Sequence, residues 1–152
     1  MTALGDFSSG DVLTAADMNA IGTWSTYTPT LTNFTGTVDF AVYAVVNEIV
    51  IVHASIELTS TVTGTLEISA PVNFSSVGGT AAGQVPIGWA HGIDVSLGNG
   101  RYSMFVAARS TNVFRFVDTV ADTLSNQLAN ATQPFTWASG DSIRFTATYK
   151  GA

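Results

Sequence analysis

From Tyr27 to Lys150 the apolar residues recur at every second position, in short runs separated by turn-forming residues. A period of two places neighbouring side chains on opposite faces of a strand, so this spacing commits the chain to β-sheet. The last run shows the simple case: Ile143, Phe145, Ala147 and Tyr149 alternate with Arg144, Thr146, Thr148 and Lys150. Other runs are apolar on both faces. In Ile49–Leu58, Val50, Val52, Ala54, Ile56 and Leu58 form one face, and the other opens with Ile49 and Ile51 before His53, Ser55 and Glu57. In Arg101–Arg109, Tyr102, Met104 and Val106 oppose Phe105 and Ala107. In Asn112–Asp118, Phe114 and Phe116 oppose Val113 and Val117. A sheet packed on one side hides only one face, and large apolar patches are rare on monomers. The second faces therefore predict a homo-oligomer, with Ile49, Ile51, Phe105, Phe114 and Phe116 at its interface.

Strands are expected at Tyr27–Thr32, Thr37–Val46, Ile49–Leu58, Thr65–Ala70, Gln84–Ala90, Arg101–Arg109, Asn112–Asp118 and Ser142–Lys150. Asn33 to Gly36, Asn47-Glu48, Gly78-Gly79, Gly98-Asn99-Gly100, Ser110-Thr111 and Gly140-Asp141 supply the breaks. Thr119–Gln133 is polar, lacks a period and reads as a long connection. About eight short strands with regular turns predict an all-β, antiparallel β-sandwich. One domain accounts for 152 residues, enough to bury roughly 68–70% of the unfolded surface.

Charge narrows the partners. Only 11% of residues are charged, and Arg101 is the first cation in the chain. Such a surface repels phosphate, which argues against nucleic-acid binding. No apolar stretch reaches the about 20 residues needed to span a bilayer, and the N-terminus lacks the basic flank of a signal peptide. Without Cys there are no disulfides or thiolate metal sites. Thr, the commonest residue, suits exposed strand faces.

One helix is predicted, from Thr14 to Gly22. Thr14 caps it with Asp17 three positions on, Leu13 and Met18 sit at staple spacing, and Gly22 ends it. About two turns do not persist alone in water. The helix must bury Leu13, Met18, Ile21 and Trp24, either on its own body or on another protein. Residues 1–26 thus form an arm and 27–152 the body.

Two segments carry a resemblance. One runs from Gly10-Asp11-Val12-Leu13-Thr14 through Trp24 to Tyr27-Thr28-Pro29-Thr30-Leu31-Thr32-Asn33; the other is Pro134-Phe135-Thr136-Trp137-Ala138-Ser139-Gly140-Asp141 leading into Ser142–Tyr149. They are similar to the start and finish of small tail-fibre and minor tail proteins of tailed double-stranded-DNA bacteriophages. The resemblance implies a jelly-roll-like sandwich with a short N-terminal helix, a homotrimer, and attachment of the arm to other virion proteins of tail or capsid. It also implies assembly in the host bacterial cytoplasm and a final location in the virion. A trimeric capsid decoration or head-fibre protein shares these features and stays open.

Chemistry-bearing constellations are few. His91 lies near Asp94, but no Gly-x-Ser-x-Gly elbow accompanies the pair. No metal-ligand spacing occurs, and no cofactor is expected. Glu48, Glu57 and Glu67 show no facing pair of the kind glycosidases use, and read as solvated strand or turn carboxylates. An enzyme is therefore not expected. The resemblance to phage tail proteins implies that Trp24 packs at the junction of arm and body, and Trp137 reads as a core or interface anchor. Trp89, bracketed by Gly88 and Gly92, is the candidate for contact with a host-surface glycan, together with His91, Asp94, Asn99, Arg101 and Tyr102. The competing reading of Trp89 is an aromatic filling the core or a subunit contact. A free carbohydrate-binding module is the remaining alternative, and the apolar second faces weigh against it.

Overall fold

The computed structural model describes residues 22–75, 86–119 and 128–152. The expected helix with Leu13, Met18 and Ile21 lies outside these residues, as do the Gly78-Gly79 turn and most of the polar connection after Thr119.

Nine strands are formed among the described residues, all paired antiparallel: β1 (Ser25–Thr26), β2 (Leu31–Thr32), β3 (Gly36–Val46), β4 (Ile49–Leu58), β5 (Glu67–Ser69), β6 (Pro86–Asp94), β7 (Gly100–Arg109), β8 (Val113–Asp118) and β9 (Ser142–Lys150). Hydrogen bonds join them in the order β1-β3-β4-β9-β6-β7-β8-β5-β2, so two separate sheets give way to a single continuous one. This sheet is a curled, open half-barrel, and two observations show the curl. Laid flat, eight strand spacings of about 4.8 Å would part the edges by about 38 Å. Yet β1 and β2, on opposite edges, are joined only by Tyr27–Thr30, which reaches at most about 18 Å. Likewise Phe116 of β8 meets Phe145 of β9 at 5.3 Å between ring centroids, although two strands lie between them.

Of the expected strand Tyr27–Thr32 only Leu31–Thr32 is formed, as β2, while β1 lies just before that range. Buried Pro29 interrupts the expected strand, having no N–H to give a ladder and restricting the residue before it. Strand β6 runs past Ala90 to Asp94, four residues beyond the expected end. The β3–β4 hairpin turns at Asn47-Glu48 with φ of 50° and 66°, the two positive values that match strand twist.

The core fills the concave side. Val50, Val52, Ala54, Ile56 and Leu58 of β4 meet Ile143, Phe145, Ala147 and Tyr149 of β9, Met104 and Val106 of β7, and Phe114 and Phe116 of β8. Phe114 is within 6 Å of the rings of Phe74, Phe145 and Tyr149, all edge-on, the arrangement ring quadrupoles favour. Phe114 and Phe116 are fully buried in this core, which corrects their expected place at a subunit interface. In β8 it is Val113 and Val117 that take the opposite face.

The approach to β9 explains the Trp137–Asp141 segment. Asp141 is 1% exposed, and its carboxylate accepts the Ala138 N–H at 2.7 Å and the Val95 N–H at 3.0 Å. One side chain therefore fastens two loops. Its backbone continues the clasp: the Leu58 N–H donates to Asp141 C=O and the Gly140 N–H to Leu58 C=O. Trp137 is fully buried, its indole N–H donating to Gln133 C=O at 3.0 Å, and so is a core anchor. Its ring occupies the space over Gly92, where an added Cβ would lie 2.8 Å from the indole.

Candidate functional site

Opposed residues in an antiparallel ladder point to the same face, so the strand register maps the convex side. One row reads Val42, His53, Thr146, Trp89, Phe105 and Val117 across β3, β4, β9, β6, β7 and β8. The next reads Phe40, Ser55, Arg144, His91 and Ser103. Strand β6, fifth of nine in the order, carries Trp89 and His91 at the centre of this face.

Trp89 is 64% exposed and is the most open aromatic among the described residues. Gly88 beside it permits a very close approach of β9. An added Cβ there would fall 1.9 Å from the Thr146 carbonyl oxygen, an overlap no side chain tolerates. The ladder shifts register between Pro86 and Gly88, and an open depression forms there, lined by Pro86, Ile87, Trp89, Thr146 and Thr148.

The expected host-contact residues divide between the two faces. Trp89, His91 and Arg101 share the convex face and are exposed. Tyr102 turns to the concave side, where its ring lies 4.7 Å from that of Phe135, so it is a core neighbour. Asn99 is exposed in the turn before β7, with φ of 68°, and serves the chain reversal. Asp94 is buried and accepts the Ser96 N–H at 2.9 Å and the Ser96 hydroxyl at 2.6 Å, capping the 3₁₀ turn Val95–Leu97. Three positions apart on a strand, His91 and Asp94 point to opposite faces and form no pair.

The interface candidates also divide. Ile49 is 40% exposed, and Ile51 and Phe105 are half-buried on the convex face. Phe40, 49% exposed, and Val46 extend that apolar area, and sequence reasoning did not single them out. Trp24 stands 49% exposed with its ring edge-on to His53 at 5.2 Å, which brings the end of the arm onto the convex face over β4.

Carboxylates are dispersed. Glu48 pairs with Lys150 at 3.0 Å, Glu57 is exposed on the convex face, and Glu67 receives both Arg109 and Arg115, the latter at 2.7 Å. Glu67 is buried, which corrects its expected solvation; the signal was present in its cross-strand neighbour Arg115, whose pairing the sequence alone does not reveal. Among the described residues no group of three His, Cys, Asp or Glu is arranged to hold a metal, and no helix is long and apolar enough to cross a membrane.

Arg101 and Arg144 are the two cations that make no ion pair among the described residues, and both lie on the convex face near His91. Arg144, directly across from His91, is the residue that strand-by-strand reading missed.

No family model, no curated protein and no solved structure matches this chain.

Proposed function

We propose that the chain is a structural protein of a tailed bacteriophage virion, of tail-fibre or minor tail type, assembled as a homotrimer. Residues 1–26 attach it to neighbouring virion proteins, and the β body is presented outward, in contact with the host envelope. On this reading the two halves of the curled sheet stand for the two layers of a jelly-roll-like sandwich. Catalysis has no part in this reading.

The observation that carries the proposal is the convex face. Trp24, Phe40, Val46, Ile49 and Trp89 all remain open there, on a sheet whose concave side is already filled. Scattered exposed apolar residues need no explanation, but these occupy one face, most of them over β3 and β4. A second copy covering β3 and β4 would bury Phe40, Val46 and Ile49 together. The end-segment similarity to phage tail proteins then supplies the larger particle.

The test is capture of the chain by purified tails and heads of the phage that encodes it, with and without residues 1–26. Binding to tails that requires the arm is the expected result. Arm-dependent binding to heads would replace the tail assignment by a capsid decoration or head-fibre protein. Binding to neither would overturn the virion assignment.

A further inference from the structure

We infer that the convex face around Trp89 binds an anionic glycan, with a pyranose ring stacked on the Trp89 indole and its acidic group held by Arg144. This deepens the host-envelope contact proposed above and rests on that reading for its biological setting only.

Three independent features converge. The first is the indole itself, 64% exposed at the middle of the sheet and in no ring contact with another aromatic among the described residues. An indole face is electron-rich and meets the weakly positive C–H groups of a sugar ring favourably. The second is the polar set that the register places beside it. Thr146 lies directly across from Trp89, while Arg144 and His91 stand one ladder step further along. Ser103 continues the row on β7. Diagonal neighbours on one face are about 7–8 Å apart, within the span of one sugar ring and its carboxylate or phosphate. All of these groups sit on β9, β6 and β7, central strands that hold a binding geometry better than loops do.

The third feature is charge, and it decides the class of sugar. The chain has five cations and a formal net charge of −6. Arg109 and Arg115 share the one carboxylate of Glu67, and Lys150 pairs with Glu48. The remaining Arg144 and Arg101 are exposed on the convex face, on either side of the His91–Ile93 stretch. Among the described residues the nearby carboxylates leave Arg144 unpaired: Asp39 accepts the Ser55 hydroxyl at 2.8 Å, and Glu57 makes no ion pair. An unpaired guanidinium beside an open indole selects an acidic over a neutral sugar, because its planar fork takes a carboxylate or phosphate with two hydrogen bonds. The depression next to Trp89, floored by Gly88, admits a substituent of the stacked ring.

The experiment is binding of the intact chain to an array of oligosaccharides in four groups: neutral, uronic-acid, sialic-acid and glycerol-phosphate-bearing. Affinities are then measured by titrating the best member in solution. Binding confined to acidic members is expected, and the uronate, sialate and phosphate arms identify the source of the charge. Trp89→Ala should abolish it. Arg144→Gln should weaken it by about tenfold or more, while Arg144→Lys retains part. Leu97→Ala, exposed in the 3₁₀ turn and outside both this site and the β3–β4 surface, should leave it unchanged. Both Trp89 and Arg144 are exposed, so unchanged melting of their variants separates loss of the site from loss of the fold. No binding in any acidic group, or binding indifferent to Arg144→Gln, overturns the inference. Capture by tails together with silence on the array would leave the virion assignment standing and this site refuted; glycan binding without capture would do the reverse.

Discussion

Phe114 and Phe40 are the same side chain on the same sheet. Phe114 is fully buried against Phe74, Phe145 and Tyr149, whereas Phe40 is 49% exposed beside the β3 bulge. The concave face around Phe114 closes on itself through curl, so each ring there is held by several others. On the convex face Phe40 and Trp89 stay open to solvent, with no comparable ring cluster around them among the described residues. Stability is concentrated on one side of the sheet, and the residues available for recognition on the other.

Truncation should expose the contrast most sharply. Phe114→Ala is expected to cost about 3–5 kcal/mol in urea unfolding, from lost burial and the cavity left behind. The same change at Phe40 should cost no more than about 0.5 kcal/mol within a single chain. Comparable losses at both positions would break the division between faces.

Asp141→Ala ranks next. It removes the acceptor of two buried N–H groups, and each such loss costs about 1–3 kcal/mol. Unfolding should therefore occur at distinctly lower urea, with Asp141→Asn retaining part of the stability because its amide oxygen still accepts one bond. An unchanged midpoint for Asp141→Ala would mean that the two loops are held by other contacts.

Alkali should act through the concave face alone. Burial pushes the Tyr149 hydroxyl up to about 12, and burial raises Tyr27 further still. Both groups hold their protons longer in the folded chain than in the unfolded one, where tyrosine ionises near 10. Stability contributed by the neutral rings is complete below pH 10 and falls as pH rises towards 12 and beyond. Melting temperature should drop over that interval, and less steeply in Tyr149→Phe. A flat profile would place these phenols in contact with water.

The smallest effect is expected at Trp89. Its replacement by Ala should leave unfolding within about 0.5 kcal/mol of the parent, since most of the ring is already in water. A large loss would make Trp89 a packing residue and remove it from the recognition face.

Much of this division could be read from residue order, and its failures are instructive. The alternation in Ile49–Leu58 and Ser142–Lys150 gives the faces of β4 and β9 because polar residues mark the outside. In β8 both faces are apolar, and nothing local tells Phe114 from Val113; only packing against Phe145 decides. Tyr102 was misplaced for the same reason, since a tyrosine suits either side. The break at Pro29 carried a local signal in its missing N–H, but the dispatch of β1 and β2 to opposite edges depends on the whole curl. Arg144 lies far from His91 in the chain, and only the β6–β9 register sets them side by side.

The account turns on whether the convex face over β3 and β4 is covered by further copies of the chain. Sedimentation of the full-length protein at micromolar concentration tests this directly, beside a variant carrying Phe40→Ser and Ile49→Ser. A trimer mass for the parent and a folded monomer for the variant are the predicted results. A parent that sediments as a monomer throughout the micromolar range would contradict it.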